Sequence, residues 1–283
     1  MIYILDKPSG VSSAKAIAKL KHKLSLKKIG HAGTLDPMAT GVLVCLVNGA
    51  TKFASYAEAG RKIYSGSILL GTTTNSDDIQ GEVISTSNNI SSFEEINSAS
   101  KEFVGDILQI PPQVSAIKQN GVPAYKKVRK GESVTIEPRA ITIYSIDLFP
   151  SQDPKMISFK IECSKGTYIR SIARDLGLRL GCGGCLASLR REYSSPFFVE
   201  QAKTLENIND NDMLAWWKLF PNVSKITLAD DVATRLHHGD EIMLNNIANE
   251  IPSDNMVIYG NKESWLGMLE KDSSGIWKFA VNL

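Results

Sequence analysis

A glycine-rich loop carries the most concentrated chemical signal in the sequence, a single carboxylate on a constrained backbone. Residues 30–41 read GHAGTLDPMATG, and Asp36 is the only acid among them. Pro37 biases Asp36 away from the helical region and toward an extended or turn conformation. A rigid loop that presents one acid can supply a nucleophile or a general base. The same pattern suits an Asx turn or a helix N-cap, so the loop alone leaves the role of Asp36 open.

Two further segments carry groups that could serve the same site. Residues 163–174 read CSKGTYIRSIAR, which predicts a strand end, a turn at Gly166 and Arg170 in the first turn of a helix. Arg170 by itself is equally compatible with a surface ion pair. Tyr64 lies on an alternating strand pattern and is equally compatible with a core aromatic position. None of these residues decides a function separately.

The elements that must position these groups mix helices and strands without a regular βαβ rhythm, which favours an α+β fold. A Ser12-Ser13 start followed by apolar residues at helical spacing predicts a capped helix through Leu24. Two more helices are predicted over residues 93–104 and 167–180. Strands are predicted over residues 62–71, 82–86, 141–148, 157–163 and 186–198, with short strand-like segments at 256–259, 265–269 and 277–281.

Charge is distributed unevenly along the chain. The formal net charge of the 283 residues is only +2, but residues 1–52 hold eight lysines and two aspartates, net +6. Residues 114–140 are net +4, whereas residues 53–113 and 201–283 are each net −5. Lys and Arg bind phosphate through the local field, so two basic segments suffice to hold a nucleic acid if the fold brings them together. A solvated helix face is the alternative interpretation of residues 15–28.

Composition excludes several classes of protein and site. With 43% hydrophobic and 22% charged residues, the chain is neither collagen, coiled coil nor disordered. Its apolar runs are too short for a membrane span, and the absence of an apolar signal-peptide core near the start predicts a cytoplasmic protein. The lone Cys182–Cys185 pair lacks the further ligands that a zinc site needs, so we predict no metal and expect both cysteines to act as small apolar side chains.

Ordered motifs through residues 1–200 resemble the TruB family of tRNA pseudouridine-55 synthases. The matching segments are DKPSG (6–10), GHAGTLDPMATGVL (30–43), Lys62-Ile63-Tyr64, Gly71 to Gly81 with Thr74 and Asp77-Asp78, QIPP (109–112) with Ser115-Ala116-Ile117-Lys118, CSKGTYIRSIARDLG (163–177) and Leu189-Arg190-Arg191. Two positions depart from the family pattern. Val114 stands where many relatives carry Tyr, and Cys185 stands where relatives often carry His or Tyr.

The resemblance implies a fold and a domain organisation. It implies a pseudouridine synthase fold, with a central mixed and mainly antiparallel sheet flanked by helices and loops. The catalytic domain would span residues 1–212 and contain a basic insertion at about 111–140. Residues 225–283 would form a small β-rich, PUA-like or related RNA-binding domain.

The resemblance also implies roles for individual residues. Asp36 would be the nucleophile, Arg170 its ion-pair partner, and Tyr64 the ring that stacks on the target uracil. His31 would contact the flipped nucleotide, although a lone histidine also suits a structural role. The remaining implied substrate contacts, several of them in the insertion that would grip the tRNA T-arm, are Lys118, Lys126, Lys127, Arg129, Lys130 and Tyr168.

The implied reaction isomerises uridine to pseudouridine. The N1–C1′ bond breaks, the base turns and rejoins through C5, so the base must first leave the RNA stack. Asp36 could attack C1′ or C6, and the sequence leaves that choice open. A guanidinium from Arg170 would keep the carboxylate ionised in a partly dry pocket. No electron or phosphoryl donor takes part, so no cofactor is implied; the implied partner is tRNA, and we predict a monomer.

Three other functions remain as alternatives. A guide-RNA-dependent rRNA synthase of the dyskerin type tends to carry a basic residue after the Asp-Pro, where this chain has Met38. A non-catalytic RNA-binding or RNA-folding protein would be marked by loss of Asp36, Tyr64 or Arg170, and all three are present. A hydrolase with an aspartate nucleophile would need metal-binding acids beside the loop, which the sequence lacks.

Overall fold

The structure is a computed structural model that describes residues 1–115, 118–119, 122–123, 135–252 and 254–283. Its strands in these ranges are β1 (Ile2–Lys7), β2 (Ile29–Ala32), β3 (Thr40–Val47), β4 (Lys62–Leu70), β5 (Thr72–Thr74), β6 (Val83–Thr86), β7 (Gly105–Gln109), β8 (Lys118–Gln119), β9 (Val122–Pro123), β10 (Arg139–Pro150), β11 (Met156–Cys163), β12 (Gly184–Ser194), β13 (Phe197–Phe198), β14 (Ser224–Thr227), β15 (Met256–Gly260), β16 (Trp265–Lys271) and β17 (Trp277–Asn282). Its α-helices are α1 (Ser13–Lys23), α2 (Ala54–Ala59), α3 (Phe93–Lys101), α4 (Ile169–Arg179), α5 (Asp230–His237) and α6 (Glu241–Ile247).

One mixed sheet dominates the fold. Within the described ranges it has nine strands in the order β1-β3-β12-β4-β11-β10-β7, with β2 added on β3 and β13 added on β12. All pairs are antiparallel except β3 with β12, which run parallel where Thr40 and Gly41 face Arg190 and Arg191. The predicted α+β fold with a mixed, mainly antiparallel central sheet is confirmed.

Helices cover the sheet because their apolar faces match it. Ser12 caps α1 by accepting a hydrogen bond from the Lys15 N–H, and Ala16 and Leu20 are buried against the sheet, as predicted. Helix α4 buries Ile172 and Leu176 in the cluster that also holds residues of β4 and β11. No helix in the described part of the chain has the length and apolarity to cross a membrane.

The segment after β4 differs from its prediction. The sequence pattern predicts strands over residues 62–71 and 82–86 and none between them, yet Thr72–Thr74 form β5, which pairs with β6 in a separate two-stranded sheet. The side chains of β6 are all exposed, including Val83 and Ile84. Backbone hydrogen bonds therefore hold β5 and β6 together as a hairpin, although β6 has no buried apolar face.

The tail from residue 224 contains the predicted strands β15, β16 and β17 together with β14, α5 and α6, which the sequence pattern did not reveal. The four strands form a sheet in the order β14-β15-β16-β17. One apolar cluster joins this sheet to the main body, and Trp216 stacks on Phe53 with ring centroids 4.4 Å apart. The division into domains over residues 1–212 and 225–283 stays a prediction.

Candidate active site

A cleft of about 1310 Å³ opens beside the loop between β2 and β3. Its walls come from that loop, from β4, from the turn between β5 and β6, and from the start of α4. The structure brings five of the predicted site residues to this one cleft, namely His31, Asp36, Tyr64, Tyr168 and Arg170. Residues up to 139 positions apart in the sequence therefore share a single site.

Asp36 and Arg170 form a two-point ion pair in the cleft. Arg170 Nε donates to Asp36 Oδ2 at 2.9 Å, and Nη2 donates to Oδ1 at 3.0 Å. Such bidentate pairing fixes orientation as well as charge. The Arg170 side chain is 5% exposed, while that of Asp36 is 30% exposed. The carboxylate is thus reachable from the cleft, and its counter-charge is sheltered from water.

The remaining donors of Arg170 are directed to the facing loops. Nη1 donates to the Ser76 carbonyl at 2.9 Å, and Nη2 donates to the Val114 carbonyl at 3.1 Å. Asp78 Oδ2 lies 3.7 Å from Nη1 and is also buried. Arg170 therefore bridges two carboxylates. The contact at Val114 uses its backbone, so it does not depend on the side chain that departs from the family pattern.

The segment before α1 and the first residue of that helix hold the Asp36 loop in shape. Ser13 Oγ donates to the Leu35 carbonyl at 2.9 Å and accepts from the Leu35 N–H at 2.8 Å. Lys7 is fully buried, and its Nζ donates to the carbonyls of Pro8, Val11 and Pro37. Burial lowers the pKa of Lys7 to about 8. These contacts make Lys7 a support for the loop.

Tyr64 contributes an aromatic ring to the cleft wall. It lies on β4, is 8% exposed and faces Arg191 across the β4–β12 pair. Burial raises the pKa of Tyr64, so its phenol is un-ionised at neutral pH. Arg191 is itself buried, and it donates to the carbonyls of Val42 at 2.7 Å and Gly33 at 3.1 Å.

A glycine permits the close approach of β3 to β12 behind this wall. Gly41 has φ +99°, a conformation that side-chain-bearing residues rarely adopt. A Cβ at this position would lie 2.2 Å from the Arg191 carbonyl oxygen. The glycine that ends the GHAGTLDPMATG segment is therefore required by packing, and it lets Arg191 reach the Asp36 loop.

His31 and Tyr168 complete the cleft. Burial and the nearby Arg191 lower the pKa of His31, so its imidazole is neutral at pH 7. Its Nδ1 is buried and has no hydrogen-bond partner among the described residues. Tyr168 precedes α4, and its backbone exchanges hydrogen bonds of 2.8 and 3.1 Å with the Gln109 side chain. Burial also raises the pKa of the Tyr168 phenol.

Several predicted contacts fall outside this geometry. Lys118 lies in β8, of which only the backbone is described. The other basic residues assigned to the insertion lie outside the described residues, namely Lys126, Lys127, Arg129 and Lys130.

Cys182 and Cys185 are both buried, in keeping with an apolar role, and burial raises the pKa of Cys185 to about 11. Among the residues that the structure describes, no group of three or more His, Cys, Asp or Glu side chains could hold a metal ion.

Two buried charged residues of the site received no role from the sequence. Arg191 lies two positions after Leu189 on β12, and strand alternation places both side chains on the inward face. This alternation was the sequence signal that could have identified Arg191 as buried. Asp78 gave no such signal. No Lys or Arg occurs between residues 62 and 101, and its partner Arg170 lies 92 positions further along the chain.

Comparisons with known proteins agree with this arrangement. Residues 21–169 match the TruB family pseudouridylate synthase N-terminal domain, and residues 170–218 match the tRNA pseudouridylate synthase B C-terminal domain. The chain is 43% identical over 208 residues to tRNA pseudouridine synthase B of Syntrophotalea carbinolica, covering 73% of this chain and 68% of that protein. It is 47% identical over 209 residues to the enzyme of the same name from Opitutus terrae, covering 73% and 86%.

Solved structures show the same fold. The crystal structure of a Cbf5-Nop10-Gar1 complex matches with a TM-score of 0.70 and 22% identity, covering 100% of this chain and 83% of that one. The archaeal box H/ACA sRNP Nop10-Cbf5 complex matches with a TM-score of 0.68 and 23% identity, covering 100% and 84%. At these identities the likeness concerns the fold alone.

Proposed function

The chain belongs to the TruB family of pseudouridylate synthases and is a tRNA pseudouridine synthase, and we propose that it acts on uridine 55 of the T-loop, with Asp36 as the nucleophile on a flipped-out base. The observation that supports this proposal is the buried Arg170 that holds the accessible Asp36 carboxylate at two points in a cleft. A carboxylate held in this way is oriented before substrate arrives.

The reaction requires a nucleophile and proton transfer, and no other reactant. Attack by Asp36 at C1′ displaces N1, or attack at C6 forms an adduct in which the N1–C1′ bond then breaks. The base turns, C5 bonds to C1′, and the bond to Asp36 breaks. The proton on C5 is then lost, and N1 gains one, so substrate and product are isomers. Arg170 balances the carboxylate charge before attack and again when Asp36 is released. The geometry supports either point of attack.

The dimensions of the cleft favour base flipping. Asp36 lies among walls that include the β2–β3 loop, β4, the β5–β6 turn and the starts of α1 and α4, so a base stacked inside an RNA helix cannot reach it. The volume of about 1310 Å³ exceeds the ~300–1,000 Å³ of typical small-molecule pockets. It can therefore receive the target nucleotide together with part of the adjoining strand.

Tyr64 and His31 suit neutral contacts with the substrate. The un-ionised phenol of Tyr64 is a weak proton acceptor, and its ring on the cleft wall offers a surface on which uracil can stack. The neutral imidazole of His31 can contact the RNA without adding charge. We assign Tyr168 to substrate contact, and Lys118, Lys126, Lys127, Arg129 and Lys130 to phosphate contacts that position the T-arm.

The direct experiment uses purified protein and an unmodified tRNA transcript, with a chelator and without guide RNA or cofactor. Mapping of pseudouridine after incubation should show product at uridine 55. Product only at other uridines, or only when a guide RNA is added, would refute the proposal. The Asp36→Asn variant should lose turnover by roughly 10⁴-fold or more and still bind tRNA, while Asp147→Asn, an exposed control, should retain full activity.

A further inference from the structure

The exposed face of α1 carries lysines that the Asp36 site does not use. Lys15 and Lys19 are both exposed and stand four residues apart, so their side chains are neighbours on one helix face. Between Asp6 and Asp36 the sequence contains seven lysines and no acid. Lys7 among them is buried, and Glu206 interacts with Lys19 and Lys23. The remaining exposed lysines still leave this part of the surface positive, although the whole chain is nearly neutral.

The lysine-bearing helix begins at the active-site cleft. Ser12, Ser13 and Ala14 line the cleft, and Lys15 follows directly. The 11 residues of α1 span about 16 Å, so the helix leads away from the cleft over roughly that distance. Positive charge on this face lies where an RNA strand that leaves the cleft would pass.

Lys15 occupies a helix position where lysine is unfavourable. Helices α1 and α3 both begin after a serine cap, Ser12 and Ser92. In α3 the third residue is Glu95, which returns a hydrogen bond of 2.8 Å to the Ser92 N–H and completes a capping box. In α1 the same position is Lys15, and the first turn holds no acid. A cation here opposes the helix dipole, and a local rule broken in this way is typical of a functional surface.

Lys23 plays a different part from the two lysines before it. Its Nζ donates to the carbonyls of Leu205 at 2.7 Å and Glu206 at 2.6 Å. Lys23 therefore fastens the end of α1 to the segment after the central sheet. The basic surface available to a ligand is accordingly centred on Lys15 and Lys19.

We propose that Lys15 and Lys19 bind the sugar–phosphate backbone of the tRNA stem next to the loop that enters the cleft. The proposal rests on the proposed function, because it takes the substrate to be a tRNA whose T-loop occupies the cleft. Phosphate contacts of this kind set the register of the RNA and carry no base specificity. Each one makes binding more salt-dependent through counterion release.

The first test is Lys15→Gln, which removes the charge and supplies the side chain that a capping box accepts. We expect the melting temperature to rise by about 1–3 °C and tRNA affinity to fall several-fold. The slope of log Kd against log salt should become shallower by about one. An unaltered salt slope and affinity would overturn the proposal.

The matched control is Glu95→Lys at the equivalent position of α3, which does not line the cleft. It adds positive charge and removes a capping box, so the melting temperature should fall while the salt slope stays at the wild-type value. A slope that becomes steeper in this variant would show that net charge, and not the α1 surface, governs binding.

A substrate series tests the location of the contact. The Lys15→Gln, Lys19→Gln double variant should bind full tRNA more weakly than wild type, and the difference should disappear on a T-loop hairpin with a shortened stem. An equal penalty on both RNAs would contradict a stem contact. Pseudouridine mapping with the wild-type protein tests the proposed function separately, because product at uridine 55 is required whatever the α1 variants bind.

Discussion

Arg170 is the residue on which the charge balance of the site depends. It joins Asp36 and Asp78 and also binds the carbonyls of Ser76 and Val114. Lysine carries the same charge but lacks the planar donor fork. In Arg170→Lys we expect kcat to fall by roughly 10²-fold because Asp36 loses its fixed orientation, with little change in tRNA affinity. Single-turnover kinetics at saturating tRNA measure this, and a wild-type rate would contradict it.

His31 makes stability depend on pH in a defined direction. Its pKa is lowered in the folded protein from the ordinary value of 6.5, by burial and by Arg191. As the pH falls through 6.5, His31 takes up a proton in the unfolded chain but stays neutral in the folded protein. The free energy of unfolding therefore falls as the pH falls. In urea unfolding between about pH 7.5 and pH 5, the free energy of unfolding should decline less steeply with falling pH for His31→Gln than for wild type. His22→Gln, at an exposed position, should retain the wild-type pH dependence.

Sequence patterns predicted the residues of the site unequally. Asp36 stood out because glycine and proline surround it, and the family resemblance supplied Arg170 as its partner. Asp78 could not be paired in advance, since its contact with Arg170 exists only after α4 and the β5–β6 turn come together. The identity of a buried ion-pair partner is a property of the tertiary fold.

At the scale of elements, α1 positions Asp36, the proposed nucleophile, through one serine. Ser13 satisfies both the N–H and the C=O of Leu35, and Asp36 is the next residue. Ser13→Ala leaves both groups buried without that partner, so we expect a loss of about 1–3 kcal/mol of stability. Loosening of the loop should also lower kcat by roughly 10-fold to 10²-fold. Chemical unfolding and saturating kinetics measure the two effects.

Ser12→Ala is the matched control for this prediction. Ser12 caps the same helix, and its side chain accepts a hydrogen bond from the Lys15 N–H and has no bond to the Asp36 loop among the described residues. We expect its removal to lower stability by about 1 kcal/mol and to leave kcat unchanged. An equal loss of kcat in both variants would mean that general helix stability, and not the bond to Leu35, keeps the loop in place.

Most elements that the sequence predicted have one buried face; β6 is the exception, since it was predicted and all of its side chains are exposed. Helix α4 and strand β11 have clear periodicity, and both form as expected. Strand β1 was missed because nearly all of its side chains are buried, which removes the alternation by which strands are recognised. The short helices α5 and α6 were missed for a related reason, since seven or eight residues provide only two turns of pattern.

At the scale of the whole molecule, net charge conceals the organisation that matters for RNA binding. The net +6 of residues 1–52 surrounds the Asp36 loop and includes α1 at the edge of the cleft. The net −5 of residues 201–283 cancels most of it in the sum, although among the described residues only Glu206 of that segment is placed beside Lys19 and Lys23. An RNA that approaches the cleft responds to the nearby charge, because salt screens the rest within about 8–10 Å.

Apolar packing between the tail and the main body predicts that they unfold as one cooperative unit. Met268 on β16 is fully buried in the cluster that contains Phe53 and Trp216, while its neighbour Leu269 is buried in the tail's own core. Unfolding of the tail would expose the apolar surface of Phe53 and Trp216 on the body, which disfavours a state with only the tail unfolded.

We therefore expect a single calorimetric unfolding transition for the full chain. Met268→Ala and Leu269→Ala should each lower its midpoint, since truncation of a buried Met or Leu removes about 2–5 kcal/mol. Ile242→Ala, in the same tail but exposed, should have little effect. Two resolved transitions, with Leu269→Ala moving only one of them, would contradict the expectation. If both buried variants shift a single transition, the core of the tail and the sheet that carries the candidate active site unfold together. Packing in the tail then contributes to the stability of that sheet.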